Sequence, residues 1–211
     1  MSEVSLVHCT PNAEELIVEM ARVSNPSNQA QKLSGNRLLK YLIRHKHWSP
    51  FEMASMCVEI TTTRAISPQL LRHRSFSFQE FSQRYAAVES LPKLPHYRRQ
   101  DNKNRQNSID DLGEFFTQDL EVKTQVLFAH CHDLYNYMLE AGVAKECARN
   151  VLPMASSTRL YMHGTIRSWI HYVELRTDPS TQVEHREIAN KIKNIMYQQF
   201  PTITEAAFIN E

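Results

Sequence analysis

Fourteen consecutive positions, RHRSFSFQEFSQRY from Arg72 to Tyr85, hold the densest set of groups able to do chemistry. Arg72, His73 and Arg74 open the run. Gln79, Glu80, Ser82, Gln83, Arg84 and Tyr85 follow, with Phe76, Phe78 and Phe81 interleaved. The phenylalanines anchor such a segment on a core while its polar groups converge elsewhere. Two arginines and a histidine on a short turn suit a pyrophosphate, because the guanidinium fork matches phosphate oxygens. Glu80 could accept from a ribose or a base, and Ser82 with Arg84 could take a second phosphate. An internal Arg/Glu ion-pair network explains the same residues, and chemistry alone leaves both readings open.

The rest of the chain limits how a phosphate could be held. Of 211 residues only Gly35, Gly113, Gly142 and Gly164 are glycine. A G-x-G-x-x-G dinucleotide turn and a G-x-x-x-x-G-K-[ST] loop are therefore both excluded, and side chains must do the gripping. Fifteen of the 24 cations are arginine, at a net charge of +1, which suits local anion pockets better than a polyanion-binding face. At 42% hydrophobic and 22% charged, the chain can bury a sizeable core as one domain. Cys9, Cys57, Cys131 and Cys147 are scattered, which predicts reduced thiols in a cytoplasmic protein. No apolar run approaches the ~20 residues of a membrane span, and no signal peptide opens the chain.

The elements that must position these groups are mixed. Met1 to Val7 reads as a strand, and Pro11 precedes an amphipathic helix with Leu16, Ile17 and Met20. A second helical pattern runs through Leu33, Leu38, Leu39, Leu42 and Ile43 to a stop at Ser49-Pro50. Met53 to Thr63 alternates as a strand, with Met56, Val58 and Ile60 on one face. Ala65 to Arg72 reads as a short helix with Ile66, Leu70 and Leu71 inward. Residues 92–108 are a polar excursion, and Arg98, Arg99, Lys103 and Arg105 read there as a solvated loop. A long helix follows from Asp111 to Glu140, stopped by Gly142, then a helix from Ala144 to Val151. Ser156 to His163 reads as a strand, and Thr165 to Leu175 and Val183 to Phe200 as helices. The sum is a single α+β domain, a small antiparallel or mixed sheet flanked by helices. Phe115 to Leu139 reads as core or subunit contact.

Arg-His-Arg, seven residues, then Ser82 resembles the signature of the flavin-dependent thymidylate synthases. Gln69-Leu70-Leu71 before it and Gln83-Arg84-Tyr85 after it extend the likeness. So do His47-Trp48-Ser49-Pro50-Phe51-Glu52, Glu146-Cys147-Ala148-Arg149, and Gly164-Thr165-Ile166-Arg167-Ser168-Trp169 running on to Arg176 and Gln182. A lone R-H-R is weak; this ordered set is specific.

The resemblance implies reductive methylation of deoxyuridylate (dUMP), with methylenetetrahydrofolate as carbon donor and FAD reduced by NADPH. It implies FAD contacts from Ser49, Arg72, His73, Arg74, Glu80, Thr165, Ile166, Arg167 and His171, with His47 near flavin and folate. It places dUMP against Gln69, Leu70, Leu71, Arg72, Glu80, Phe81, Ser82, Gln83, Arg84, Arg149 and Arg176. Arg176 is the expected catalytic residue, stabilising charge on the uracil ring, and Ser82 binds rather than attacks. A homotetramer with shared sites is implied, and neither nucleic acid nor membrane is. The sequence departs from the family pattern at Gln79, Thr165, His171 and Ser180, where other members show Asn, Asn, Asn and His.

Other readings are weighed against this one. A nucleic-acid module would use Phe76, Phe78 and Phe81 as stacking platforms, but no basic stripe accompanies them. A folate-only thymidylate synthase needs a nucleophilic cysteine, typically after proline, and no cysteine here follows one. No metal is expected. His45 and His47, like His130 and His132, are two apart, which turns them ~200° on a helix.

Overall fold

A computed structural model describes residues 2–24 and 34–209. Its centre is a four-stranded antiparallel sheet. Strands β1 (Glu3–Cys9), β2 (Ser55–Thr63), β3 (Ser77–Glu80) and β6 (Ser157–Thr165) lie in the order β1-β2-β6-β3. The two long strands pair over their whole length, from Ser55 opposite Thr165 to Thr63 opposite Ser157. Strict alternation explains the buried face. Ile60 faces Leu160 and Val58 faces Met162, and all four are fully buried. Helices α6 (Ile166–Arg176) and α7 (Val183–Gln199) supply Ile170, Val173, Ile188, Ile192 and Met196 to the same core.

At the end of this face Gly164 stands opposite Met56, and the Phe76 ring fills the space its side chain would take. A Cβ there would lie 2.4 Å from Phe76 Cδ1. Phe76 has little room to retreat, because it packs edge-on against Trp169 at 4.6 Å. Gly164→Ala is therefore expected to cost about 1–3 kcal/mol of stability. Denaturant unfolding measures it, and a Gly164→Ala/Phe76→Leu double variant should cost less than the two single changes added.

Helices α1 (Ala13–Arg22) and α2 (Gly35–Arg44) close one side, and α8 (Pro201–Phe208) packs against α2. The second helix ends earlier than Ser49-Pro50, because Lys46 adopts a left-handed φ of 56°. Pro50 instead enters a 3-10 turn, Ser49–Glu52. Leu33 lies outside the described residues. Helix α3 is one turn, Ser67–Leu70, rather than Ala65 to Arg72, and Leu71 faces solvent at 38% exposure instead of inward. The helix read from Val183 to Phe200 is α7, ending at Gln199, and a further helix, α8, follows it. Phe200 leaves helical geometry and Pro201 restarts it at a position where its missing N–H costs nothing.

The polar excursion carries a small hairpin, β4 (Arg99–Gln100) with β5 (Ser108–Ile109). The Arg99 side chain stays solvent-exposed while gripping Asp111 with two parallel bonds of 2.9 and 2.6 Å, whereas Arg98 is not solvated: its side chain is largely buried and pairs with Glu184 at 2.6 Å. Helix α4 (Glu114–Glu140) then runs 27 residues to a left-handed Gly142. Helix α5 (Lys145–Ala148) and a 3-10 turn, Arg149–Val151, return the chain to the sheet. A second small cluster of Val88, Tyr135 and Ala148 joins these to the segment after β3.

Candidate active site

Arg176 ends α6, and Nε of its guanidinium donates to His73 Nε2 at 2.9 Å. Burial, then the Arg176 charge, push the His73 ring down to about 4. The ring is neutral, so it accepts rather than repels. The geometry has one chemical consequence: Nε is anchored, while the two terminal nitrogens of Arg176 have no partner among the described residues. A planar donor pair is thus held out from a fixed base.

The base is an aromatic wall. Tyr172 meets the His73 ring edge-on at 4.8 Å. Behind it His185, fully buried, bonds to the Tyr172 hydroxyl at 3.1 Å and to Gln69 Oε1 at 3.3 Å. Burial, then Arg176, then His73, push His185 down to about 3. His185 was not among the expected site residues. Its signal is faint in sequence, a histidine on the inward face of α7.

Glu80 settles the choice between phosphate site and ion-pair network differently for different residues. Its Oε1 accepts from Ser67 at 2.6 Å and Thr158 at 2.9 Å, and pairs with Arg64 at 3.0 Å. Arg64 also donates to the Phe81 carbonyl at 2.6 Å. Glu80 thus belongs to an internal network through this oxygen, and Arg64, which the motif reading passed over, is its cation. Arg72 and Arg74 are exposed and carry no ion pair among the described residues. They remain available for an anion.

The residues after β3 form a turn. Ser82 Oγ accepts from the Arg84 N–H at 3.3 Å, and Ser82 O accepts from Tyr85 and Ala86. No hydrogen bond joins the Ser82 hydroxyl to a histidine among the described residues, as a nucleophile would require. Gln83 is buried with its amide nitrogen unpartnered. Arg84 makes an exposed pair with Glu146 at 3.3 Å, and Arg149 nearby in the chain is exposed. Leu70 lies in the core, whereas Phe81 packs on the second cluster.

A further group surrounds the start of α6. Thr165 caps the helix, accepting from the Ser168 N–H at 3.3 Å, so threonine serves where the family shows asparagine. Ile166 is buried, and its N–H is taken by Ala54 O, which leaves its side chain in the core. Arg167 donates to Glu52 in the 3-10 turn that begins at the exposed Ser49. His171 meets Trp48 edge-on at 4.8 Å. His47 is exposed and clusters with Tyr41 and His45. A hollow between α1 and α2 lies apart from these residues and is lined by Glu14, Glu15, Glu19 and Arg22.

A family model described as thymidylate synthase complementing protein matches residues 5–202. A probable flavin-dependent thymidylate synthase of Paramecium bursaria Chlorella virus 1 is 54% identical over 194 residues, 92% of this chain and 90% of that protein. A flavin-dependent thymidylate synthase of Synechocystis sp. is 50% identical over 193 residues, 92% and 88%. Among solved structures, the UMP/dUMP methylase PolB from Streptomyces cacaoi, bound with 5-Br UMP, aligns with a TM-score of 0.87 at 26% identity, covering 98% of this chain and 93% of that one.

Proposed function

The chain belongs to the flavin-dependent thymidylate synthase family, and on that premise we propose that it reductively methylates dUMP to thymidylate. Methylenetetrahydrofolate gives the carbon, and NADPH reduces a bound FAD. The observation that carries the reading is the anchored Arg176 with its open fork, beside the Gln69 turn and two unpaired arginines.

Uracil C5 is a weak nucleophile until negative charge can develop on the ring. Arg176, permanently protonated, faces that charge from N3 and a neighbouring carbonyl oxygen, as an oxyanion site does. Arg84 and Arg149, with N–H groups of the Ser82 turn, neutralise the substrate phosphate. The donor set also fits FAD: Arg72 and Arg74 suit a pyrophosphate, and Ser49, Arg167 and His171 offer further donors around the start of α6. The flavin supplies the hydride chemistry; the protein supplies orientation and electrostatics. With Nε2 occupied by Arg176, the neutral His73 keeps its proton on Nδ1 and can donate it to the cofactor.

The exposure of Arg72, Arg74 and Arg149 fits a site completed by neighbouring subunits in a homotetramer, and α4 offers a surface for assembly. Phe115, Val122, Val126 and Tyr137 are 52–87% exposed. At about 100° per residue they fall on one stripe, roughly opposite the buried Phe128 and Tyr135.

A visible spectrum tests the whole reading. A yellow protein, bleached by NADPH, that methylates dUMP is the expected result. A protein that neither carries nor binds FAD overturns it. Because the solved neighbour is a UMP/dUMP methylase, UMP belongs in the same assay, and turnover of UMP alone would move the substrate assignment.

A further inference from the structure

A continuous line of hydrogen bonds leads from the polar excursion to the wall behind Arg176. Arg98 donates through Nη2 to Glu184 Oε1 at 2.6 Å and through Nε to Ser108 Oγ at 2.9 Å. Gln182 Nε2 donates to Glu184 Oε2 at 2.9 Å. Gln69 Nε2 donates to Gln182 Oε1 at 2.7 Å. His185 Nδ1 lies 3.3 Å from Gln69 Oε1, and His185 Nε2 lies 3.1 Å from the Tyr172 hydroxyl. Tyr172 in turn packs on His73, the acceptor of Arg176.

The direction of the whole line follows from one end. Burial raises the Glu184 carboxyl, but bonds from Arg98, its own N–H and Gln182 outweigh this, so it is an anion. A carboxylate only accepts. Gln182 must therefore turn its amide nitrogen to Glu184 and its oxygen to Gln69. Gln69 then presents its own oxygen to His185. That oxygen requires a proton on His185 Nδ1, which leaves Nε2 as the acceptor for the Tyr172 hydroxyl. Gln182 cannot flip without losing a bond at both ends, and Gln69 cannot flip without losing its bond to Gln182 and moving the His185 proton from Nδ1 to Nε2. The line runs through fully buried groups at His185 and Tyr172, where a lost partner is costly.

We propose that Arg98 is a positioning residue for the nucleotide site: by holding Glu184 it sets the amide orientation of Gln69 and the tautomer of His185. The excursion is thereby a structural member of the site rather than a bystander loop. The inference rests on the reading of Gln69 and Arg176 as the dUMP face. It adds that Gln69 arrives there with its orientation already chosen, from a residue 29 positions further along the chain.

The test uses the full-length protein with isotope-labelled histidine. In the unaltered protein, nitrogen NMR should show His185 protonated on Nδ1. Arg98→Met should yield a mixture of His185 tautomers, and dUMP affinity by calorimetry should fall roughly three- to thirtyfold with flavin content unchanged. Arg98→Lys keeps the charge but loses the two-point grip and should fall between. Glu184→Gln keeps the side-chain shape, removes the fixed acceptor, and answers the same question if Arg98→Met does not fold. An unchanged tautomer and unchanged dUMP affinity in either folded variant overturn the proposal. Failure of the unaltered protein to bind dUMP would instead overturn the reading of the site, whatever the tautomer does.

Discussion

Arg176→Lys should lower turnover by about 100- to 1,000-fold, the usual consequence of removing one preorganised donor to developing charge. Flavin content and unfolding temperature should change far less. Lysine keeps the positive charge, so a role limited to long-range attraction would survive the change. What it lacks is geometry. The guanidinium splits its work, with Nε fixed on His73 at 2.9 Å and the terminal pair facing outward. One ammonium cannot bond to His73 and also present a planar pair to a ring nitrogen and its carbonyl oxygen. Either the anchor or the fork is lost. Comparing kcat, KM for dUMP and bound flavin separates these outcomes. A fall in kcat with KM nearly unchanged marks stabilisation specific to the transition state. Unimpaired turnover would remove Arg176 from its assigned role.

The parts of the fold that were readable are those with a simple period. Met56, Val58 and Ile60 alternate, and so do Leu160 and Met162, because one face of β2 and β6 is core. The long helix was readable from its length and its Gly142 stop, although only Phe128 and Tyr135 of it are buried. Where burial did not set the pattern, the reading failed. Leu71 looked inward on a helix that proves to be a single turn. Helix α8 was not read at all, although Pro201 stands at its first position, where proline favours a helix start. The site shows the same division. The motif displays Arg72, Arg74, Ser82 and Arg176, the residues proposed to face a ligand. It does not display the residues that hold them. Arg64 is 16 positions from Glu80, and Arg98 is 86 from Glu184. Such pairs become visible only when the sheet and α7 bring them together.

Arg64 therefore makes the second large prediction. Its side chain is 24% exposed and that of Glu80 16%, so the pair is well shielded from water. Arg64→Met leaves the Glu80 carboxylate with two hydroxyl donors, Ser67 and Thr158, and no cation. It also frees the Phe81 carbonyl, which Arg64 holds at 2.6 Å. Breaking a buried pair from one side costs about 3–5 kcal/mol. Partial exposure reduces that, and so does the loss of the unpartnered Arg64 Nε, so the expected cost is about 2–3 kcal/mol. Most of that cost is the stranded charge rather than the lost attraction. Arg64→Met/Glu80→Gln should consequently be more stable than Arg64→Met alone, since a neutral amide still accepts from both hydroxyls. Activity separates the two contributions again. The double variant restores the charge balance but leaves the Phe81 carbonyl free, so the turn that carries Ser82 and Arg84 stays loose and KM for dUMP should remain high. A stability loss below about 0.5 kcal/mol in Arg64→Met, the size of an ordinary surface change, would show that Glu80 is held by its hydroxyl donors alone.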